Sequence, residues 1–133
     1  MIIEFTVPGA PQGKARARTT YHGTYTPEKT VLYENLIKLM YQQQTDYMSH
    51  KPLEIFILIC FEPIKSVSKR VREQMLSGKM YPIKKPDIDN IAKVVLDALN
   101  GIAYRDDTQV VQLTMRKIYS GMPRLDVKIR EVD

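Results

Sequence analysis

Thiols are almost missing from this chain. Cys60 is the single cysteine among 133 residues, so no internal disulfide can form, and a CxxC or Cys/His zinc site is excluded by count. Cys60 sits in the apolar run LEIFILICF and reads as a small buried hydrophobe. That run is the longest of its kind. It reaches about half of the ~20 residues that a membrane span needs, so no spanning helix is expected. The opening MIIEFTVPG lacks the charged and long apolar regions of a signal peptide, which points to a cytoplasmic protein. There is no internal repeat, no low-complexity tract and no linker, so a single domain over residues 1–133 is expected, with enough chain to bury a core. His22 and His50 are isolated, with no metal-ligand partner at useful spacing. No serine–histidine or cysteine–histidine pattern suggests a nucleophilic site, and there is no P-loop or GxGxxG, so nucleophilic and nucleotide-cradle chemistry find no support.

What the chain does have is positive charge. Twenty basic residues stand against fifteen acidic ones, a net charge of +5 and a pI near 9.3. Such a balance suits a polyanion, nucleic acid first, although solubility alone would also account for it. The stretch PGAPQGKARARTTYHGTYT holds no acid. Its Lys14, Arg16 and Arg18 are candidate phosphate contacts, against the plainer reading of a solvated loop. Tyr21 and Tyr25 are interleaved with them and are candidates for stacking on an opened base. Lys69, Arg70 and Arg72 read either as a second DNA-facing patch or as a solvated helix face. Lys84 and Lys85 adjoin the acidic segment and are candidate phosphate contacts.

The periodicities place the elements. IIEFTV alternates as a half-buried strand. Thr26-Pro27-Glu28 starts a helix, with threonine as the N-cap, and the helical spacing of Leu32, Leu36 and Met40 and of Tyr33, Ile37 and Tyr41 carries it to about Met48. Leu53 to Phe61 is apolar on both faces apart from Glu54 and reads as an interior strand covered on both sides. SVSKRVREQMLS forms a short helix stopped by Gly78. Asp87 to Asn100 is the clearest helix, closed by Gly101. Val110 to Tyr119 and Leu125 to Arg130 alternate as two strands, and the SGMPR turn predicts that they form an antiparallel hairpin. The order β-α-β-α-α-β-β gives an α+β fold: a mixed sheet of about four strands with helices packed on it.

Within this basic chain the acids are gathered. Lys65 to Lys85 holds seven basic residues and one acid, whereas Pro86 to Asp107 holds five aspartates and two bases. At about 100° per residue, Ile91, Val94, Val95, Ala98 and Leu99 share one face of the helix, and Asp89, Asn90, Lys93, Asp97 and Asn100 share the other. Asp89, Lys93 and Asp97 then stand one turn apart in a ladder. By itself this pattern also suits an N-cap at Asp87, a first-turn acid at Asp89 and an exposed salt-bridge ladder. Against that, a cap needs one aspartate and two are present, and Asp106 and Asp107 follow in the short connection after the helix. Crowded carboxylates repel unless a cation neutralises them, and hard oxygen ligands suit Mg²⁺ or Mn²⁺. A metal held in a basic surface can activate water at a phosphodiester. Lys93 is placed to stabilise the developing negative charge.

The segment KPDIDNIAKVVLDALNGIAYRDDTQV resembles the signature of the RusA family of Holliday junction resolvases: Asp-x-Asp-Asn-x-x-Lys, a helix ending Asp-Ala-Leu, an apolar link, then Asp-Asp-x-Gln-Val before a strand. The resemblance maps Asp87, Asp89 and Asp107 onto the catalytic, metal-holding aspartates and Lys93 onto the catalytic lysine. Asp106 is a further candidate metal ligand, and Asp97 falls on another recurring position. GKARART and YTPEKT look like the phage and prophage branch. The resemblance implies a RusA-like fold and a C2 homodimer that resolves four-way junction DNA by paired symmetric nicks with Mg²⁺, or Mn²⁺ in its place, in recombination and repair. Two-fold symmetry suits such a substrate, since two strands are cut equivalently. The alternatives are a non-catalytic phage DNA-binding protein and a general metal-dependent nuclease without junction selectivity.

Overall fold

The computed structural model describes residues 1–15 and 18–133, with Arg18 described through its backbone only. The fold is α+β, and the chain divides into two compact units.

The first unit takes residues 1–11, 51–85 and 110–133. It holds β1 (Ile2–Pro8), β4 (Leu53–Phe61), α2 (Lys69–Leu76), β5 (Val110–Tyr119) and β6 (Arg124–Glu131). Its mixed sheet runs β1-β6-β4-β5, with β6 antiparallel to both neighbours and β5 parallel to β4. Register stacks three apolar rows across the sheet: Ile3–Ile129–Ile55, Phe5–Val127–Ile57 and Val7–Leu125–Ile59. All nine side chains are buried, and each fully buried aliphatic contributes about 1.5–3 kcal/mol. The opposite face of β4 is only half-buried at Glu54, Phe56 and Leu58, and there Glu54 takes an ion pair from Arg130. Cys60 is buried, as its setting implied. Helix α2 starts later than its sequence suggested. Ser68 caps it by accepting the Val71 N–H at 3.2 Å.

The expected β5–β6 hairpin does not form. Both strands pair with β4 and not with each other. The physical reason lies in the connection. Ser120 donates its N–H to the Phe61 carbonyl at the end of β4 (2.8 Å). Arg124 then ties the crossing down, its guanidinium donating to the Ser120 hydroxyl (3.0 Å) and the Met122 carbonyl (2.9 Å). The turn therefore steps across β4, and β6 enters the middle of the sheet, where Leu125, Val127 and Ile129 are buried.

The second unit takes residues 12–50 and 86–109. A small hairpin, β2 (Arg18–Thr20) and β3 (Gly23–Tyr25), interrupts what the sequence suggested was loop. Its turn is Tyr21-His22, and Gly23 follows at φ +123°. Helix α1 (Glu28–Gln42) is shorter than expected at its C-terminal end, and Pro27 occupies the N-cap position expected of Thr26. It packs against α3 (Ile88–Leu99). The buried residues of α3 are the five that its periodicity selected: Ile91, Val94, Val95, Ala98 and Leu99. A 3₁₀ turn, Asp107–Gln109, ends the unit. Among the described residues, no helix is long and apolar enough to cross a membrane.

Candidate active site

The polar face of α3 is the natural starting point, because its apolar face is consumed by packing. Asp87 occupies the N-cap position with extended backbone (φ −71°, ψ 151°), and its carbonyl accepts the Ile91 N–H at 3.1 Å. Its carboxylate makes no capping hydrogen bond. An aspartate in that position ordinarily caps, so an exposed carboxylate held there without that bond is available for another use. Asp89 is exposed in the first turn and accepts the Asn90 N–H at 3.0 Å. Lys93 reaches Asp97 at 3.3 Å. Among the described residues the Lys93 ammonium pairs with Asp97 and not with Asp89, so half of the expected ladder forms.

Beyond α3 the chain folds back through Gly101, at φ +75°. Tyr104 is fully buried there and its hydroxyl donates to the Leu96 carbonyl at 2.6 Å. Burial, then the negative charges of Asp107, Asp97 and Asp106, push its ionisation far up, so it stays a neutral donor. Two side-chain amides hold the Asp106–Asp107 pair. Asn100 accepts the Asp107 N–H at 2.9 Å. Gln109 accepts the N–H groups of Arg105 (2.8 Å) and Asp106 (3.1 Å) and donates to the Ser49 carbonyl at 3.0 Å. The two carboxylates are crowded together. Burial, then a hydrogen bond and the charge of Asp106, then the charge of Asp97, hold Asp107 above the usual carboxylate range, while Lys93 works the other way.

The acids thus fall at two ends. Asp89 lies near the N-terminus of α3, and Asp107 is anchored on Asn100, eleven residues along, a rise of about 16 Å. Asp97, Asp106, Asp107 and Lys93 share one electrostatic neighbourhood. Among the described residues, no three acidic, histidine or cysteine side chains are disposed to hold a metal ion together. In kind, the donors suit a hard divalent cation: carboxylate oxygens, two of them exposed at Asp87 and Asp89, and two crowded at Asp106 and Asp107.

Lys14 occupies a different place from a solvated loop cation. Its ammonium lies 3.0 Å from Glu34 on α1 and 3.3 Å from Asp97 on α3, with its side chain only 19% exposed. Burial acts to lower its ionisation, but hydrogen bonds and charge from Glu34 and Asp97 outweigh that and leave it raised. The backbone is tied down as well. The Lys14 N–H donates to the Asn90 carbonyl (2.8 Å), and the Ala15 N–H donates to the Thr30 hydroxyl (3.2 Å). Gly13 lies flat on α3, where a Cβ would come within 2.8 Å of the Asn90 Cβ.

Of the other candidates, Arg16 lies outside the described residues, and Arg18 enters only through its backbone in β2. Lys85 is exposed. Lys84 lies over the Phe61 and Tyr119 rings at 5.6 and 5.9 Å. Tyr21 is 99% exposed at the hairpin tip, edge-on to His22, and Tyr25 is half-exposed. Sequence reasoning passed over Glu34, Asn100 and Tyr104 as functional residues. It quoted Gln109 within a pattern and gave it no task. The glutamine at a fixed offset from an Asp-Asp pair was the available signal.

The pattern of the family Endodeoxyribonuclease RusA matches residues 8–130. The chain is also 36% identical to the Uncharacterized protein YqaN of Bacillus subtilis (strain 168), over 98% of this chain and 96% of that one. With nearly the whole chain matched, and the paired acids, the lysine and the amide-clamped Asp-Asp connection all on one unit, this protein belongs to the RusA endodeoxyribonuclease family.

Proposed function

We propose that this nuclease resolves four-way DNA junctions by paired, symmetric phosphodiester cleavage, with Mg²⁺ or Mn²⁺ as cofactor. Besides family membership, the observation that carries this reading is the Asp87 carboxylate, exposed at a helix start where it does no capping, with Asp89 beside it and Lys93 one turn further along. Asp87, Asp89 and Asp107 would hold the ion, with Asp106 as an added ligand. When bound, such an ion supplies an activated water and neutralises charge on the phosphodiester. Lys93, 63% exposed on the same helix face, turns from Asp97 to the scissile phosphate and stabilises its developing charge. Arg16, Arg18, Lys84 and Lys85 hold the DNA backbone. A homodimer places two such sites across a two-fold substrate.

The test is a four-way junction labelled strand by strand, incubated in Mg²⁺ or in chelator beside a linear duplex. Paired nicks in two opposed strands of the junction alone, lost in chelator, support the reading. Equal cutting of the linear duplex would mean a nuclease without junction selectivity. Tight binding with no cutting in either metal would favour a DNA-binding role.

A further inference from the structure

Lys93 does not have Asp97 to itself. Lys14 and Lys93 approach the same carboxylate oxygen, Oδ2, each at 3.3 Å. Lys14 is in turn held from behind by Glu34 at 3.0 Å. The four charges form a neutral chain, Glu34–Lys14–Asp97–Lys93. Its members are unequal in solvent access: the Lys14 side chain is 19% exposed and that of Lys93 is 63%. The less solvated ammonium is screened less, so its claim on Asp97 is the stronger one. An exposed i,i+4 pair such as Lys93–Asp97 is weak by itself.

We propose that Lys14 is a positioning residue for Lys93. By engaging Asp97 from inside, it leaves the Lys93 ammonium loosely held and free to turn to a phosphate. Without Lys14, Asp97 keeps Lys93 as its cationic partner among the described residues and draws it back along the helix, while Glu34 loses the Lys14 charge. This role differs from that of a phosphate contact, because the Lys14 ammonium is directed at two carboxylates within its own unit. It rests on the reading of Lys93 as the group that meets the scissile phosphate. The main-chain anchors of the loop, Lys14 N–H to Asn90 and Ala15 N–H to Thr30, do not depend on the ammonium.

The experiment compares wild type, Lys14→Met, Lys14→Arg and the double variant Lys14→Met/Asp97→Asn. It measures single-turnover junction cleavage, and junction binding over a range of salt. Lys14→Met lowers the cleavage rate about tenfold or more, with binding within about twofold of wild type and its salt slope unchanged. Lys14→Arg restores most of the rate. The double variant cuts faster than Lys14→Met, because the carboxylate that captures Lys93 is gone. A salt slope shallower by about one in Lys14→Met overturns the proposal, since that marks a lost phosphate contact. A double variant no faster than the single one also overturns it. Should Lys14→Met fail to fold, Glu34→Gln carries the test: Lys14 then leans wholly on Asp97 and the rate rises, whereas a fall would refute the relay. Wild type that does not cut junctions sinks the functional reading, while active wild type beside a fully active Lys14→Met sinks this inference alone.

Discussion

Replacing Gln109 by alanine tests how the Asp106–Asp107 connection is held. The amide oxygen accepts two backbone N–H groups, from Arg105 and Asp106, both in exposed residues. Water can replace that acceptor, so each of these bonds counts at the low end of about 0.5–1.5 kcal/mol. The amide nitrogen donates to the carbonyl of Ser49, a residue with no solvent exposure. Ser49 is also bridged to Tyr104, so loss of that donor counts about 1 kcal/mol, and the sum is about 2 kcal/mol. For a chain of this length, that corresponds to a fall in Tm of roughly 6–10 °C. Thermal unfolding by circular dichroism reads the stability, and junction cleavage reads the site, where the loosened aspartates should cut activity more than stability alone explains. Gln109→Glu is the control. It keeps an acceptor for the two N–H groups but loses the donor to Ser49 and adds charge beside Asp106 and Asp107, so it destabilises more at neutral than at acidic pH. A Gln109→Ala variant with Tm and cleavage both at wild-type values would refute the clamp.

Other outcomes follow from the same geometry. The folded state binds the Asp107 proton more tightly than the unfolded chain does, so stability from this group is full below the ordinary value of 3.8 and is lost as pH rises through its raised folded value. Asp107→Asn therefore raises Tm at pH 7 while abolishing cleavage, and its advantage fades in acid; a Tm below wild type at pH 7 would contradict this. Asp87→Asn abolishes cleavage yet changes stability by less than about 0.5 kcal/mol, because no capping bond is lost; a loss of 1 kcal/mol or more by denaturant melting would make it an ordinary cap. Gly13→Ala drives a Cβ to 2.8 Å from Asn90 and 3.1 Å from Pro86. It should cost about 1–3 kcal/mol and slow cleavage as the loop lifts from α3, both read from melts and nicking rates.

Much of the local structure was legible because it depends on neighbours in sequence. The apolar run from Leu53 to Phe61 is a strand with those bounds, and the buried face of α3 holds the five residues that its period selects. What alternation does not encode is which strand lies beside which. Leu125, Val127 and Ile129 announce a buried face, but the insertion of β6 between β1 and β4 depends on contacts between residues more than sixty positions apart. The β2–β3 hairpin was short enough to pass for loop, though Thr-rich flanks around a two-residue turn ending in glycine were its signal. Asp89 and Lys93 were visible because helix periodicity sets them on one polar face, and Asp87 because it stands at the helix start as a second aspartate beside them. Lys14 looked like surface charge because its partners, Glu34 and Asp97, lie 20 and 83 residues away.

The most direct measurement is cleavage of a labelled four-way junction by wild type and Asp89→Asn in Mg²⁺, with junction binding measured on the same samples. The carboxylate site on α3 predicts symmetric paired nicks from wild type, and none from Asp89→Asn at undiminished binding. Nicking by Asp89→Asn at the wild-type rate would place the chemistry elsewhere.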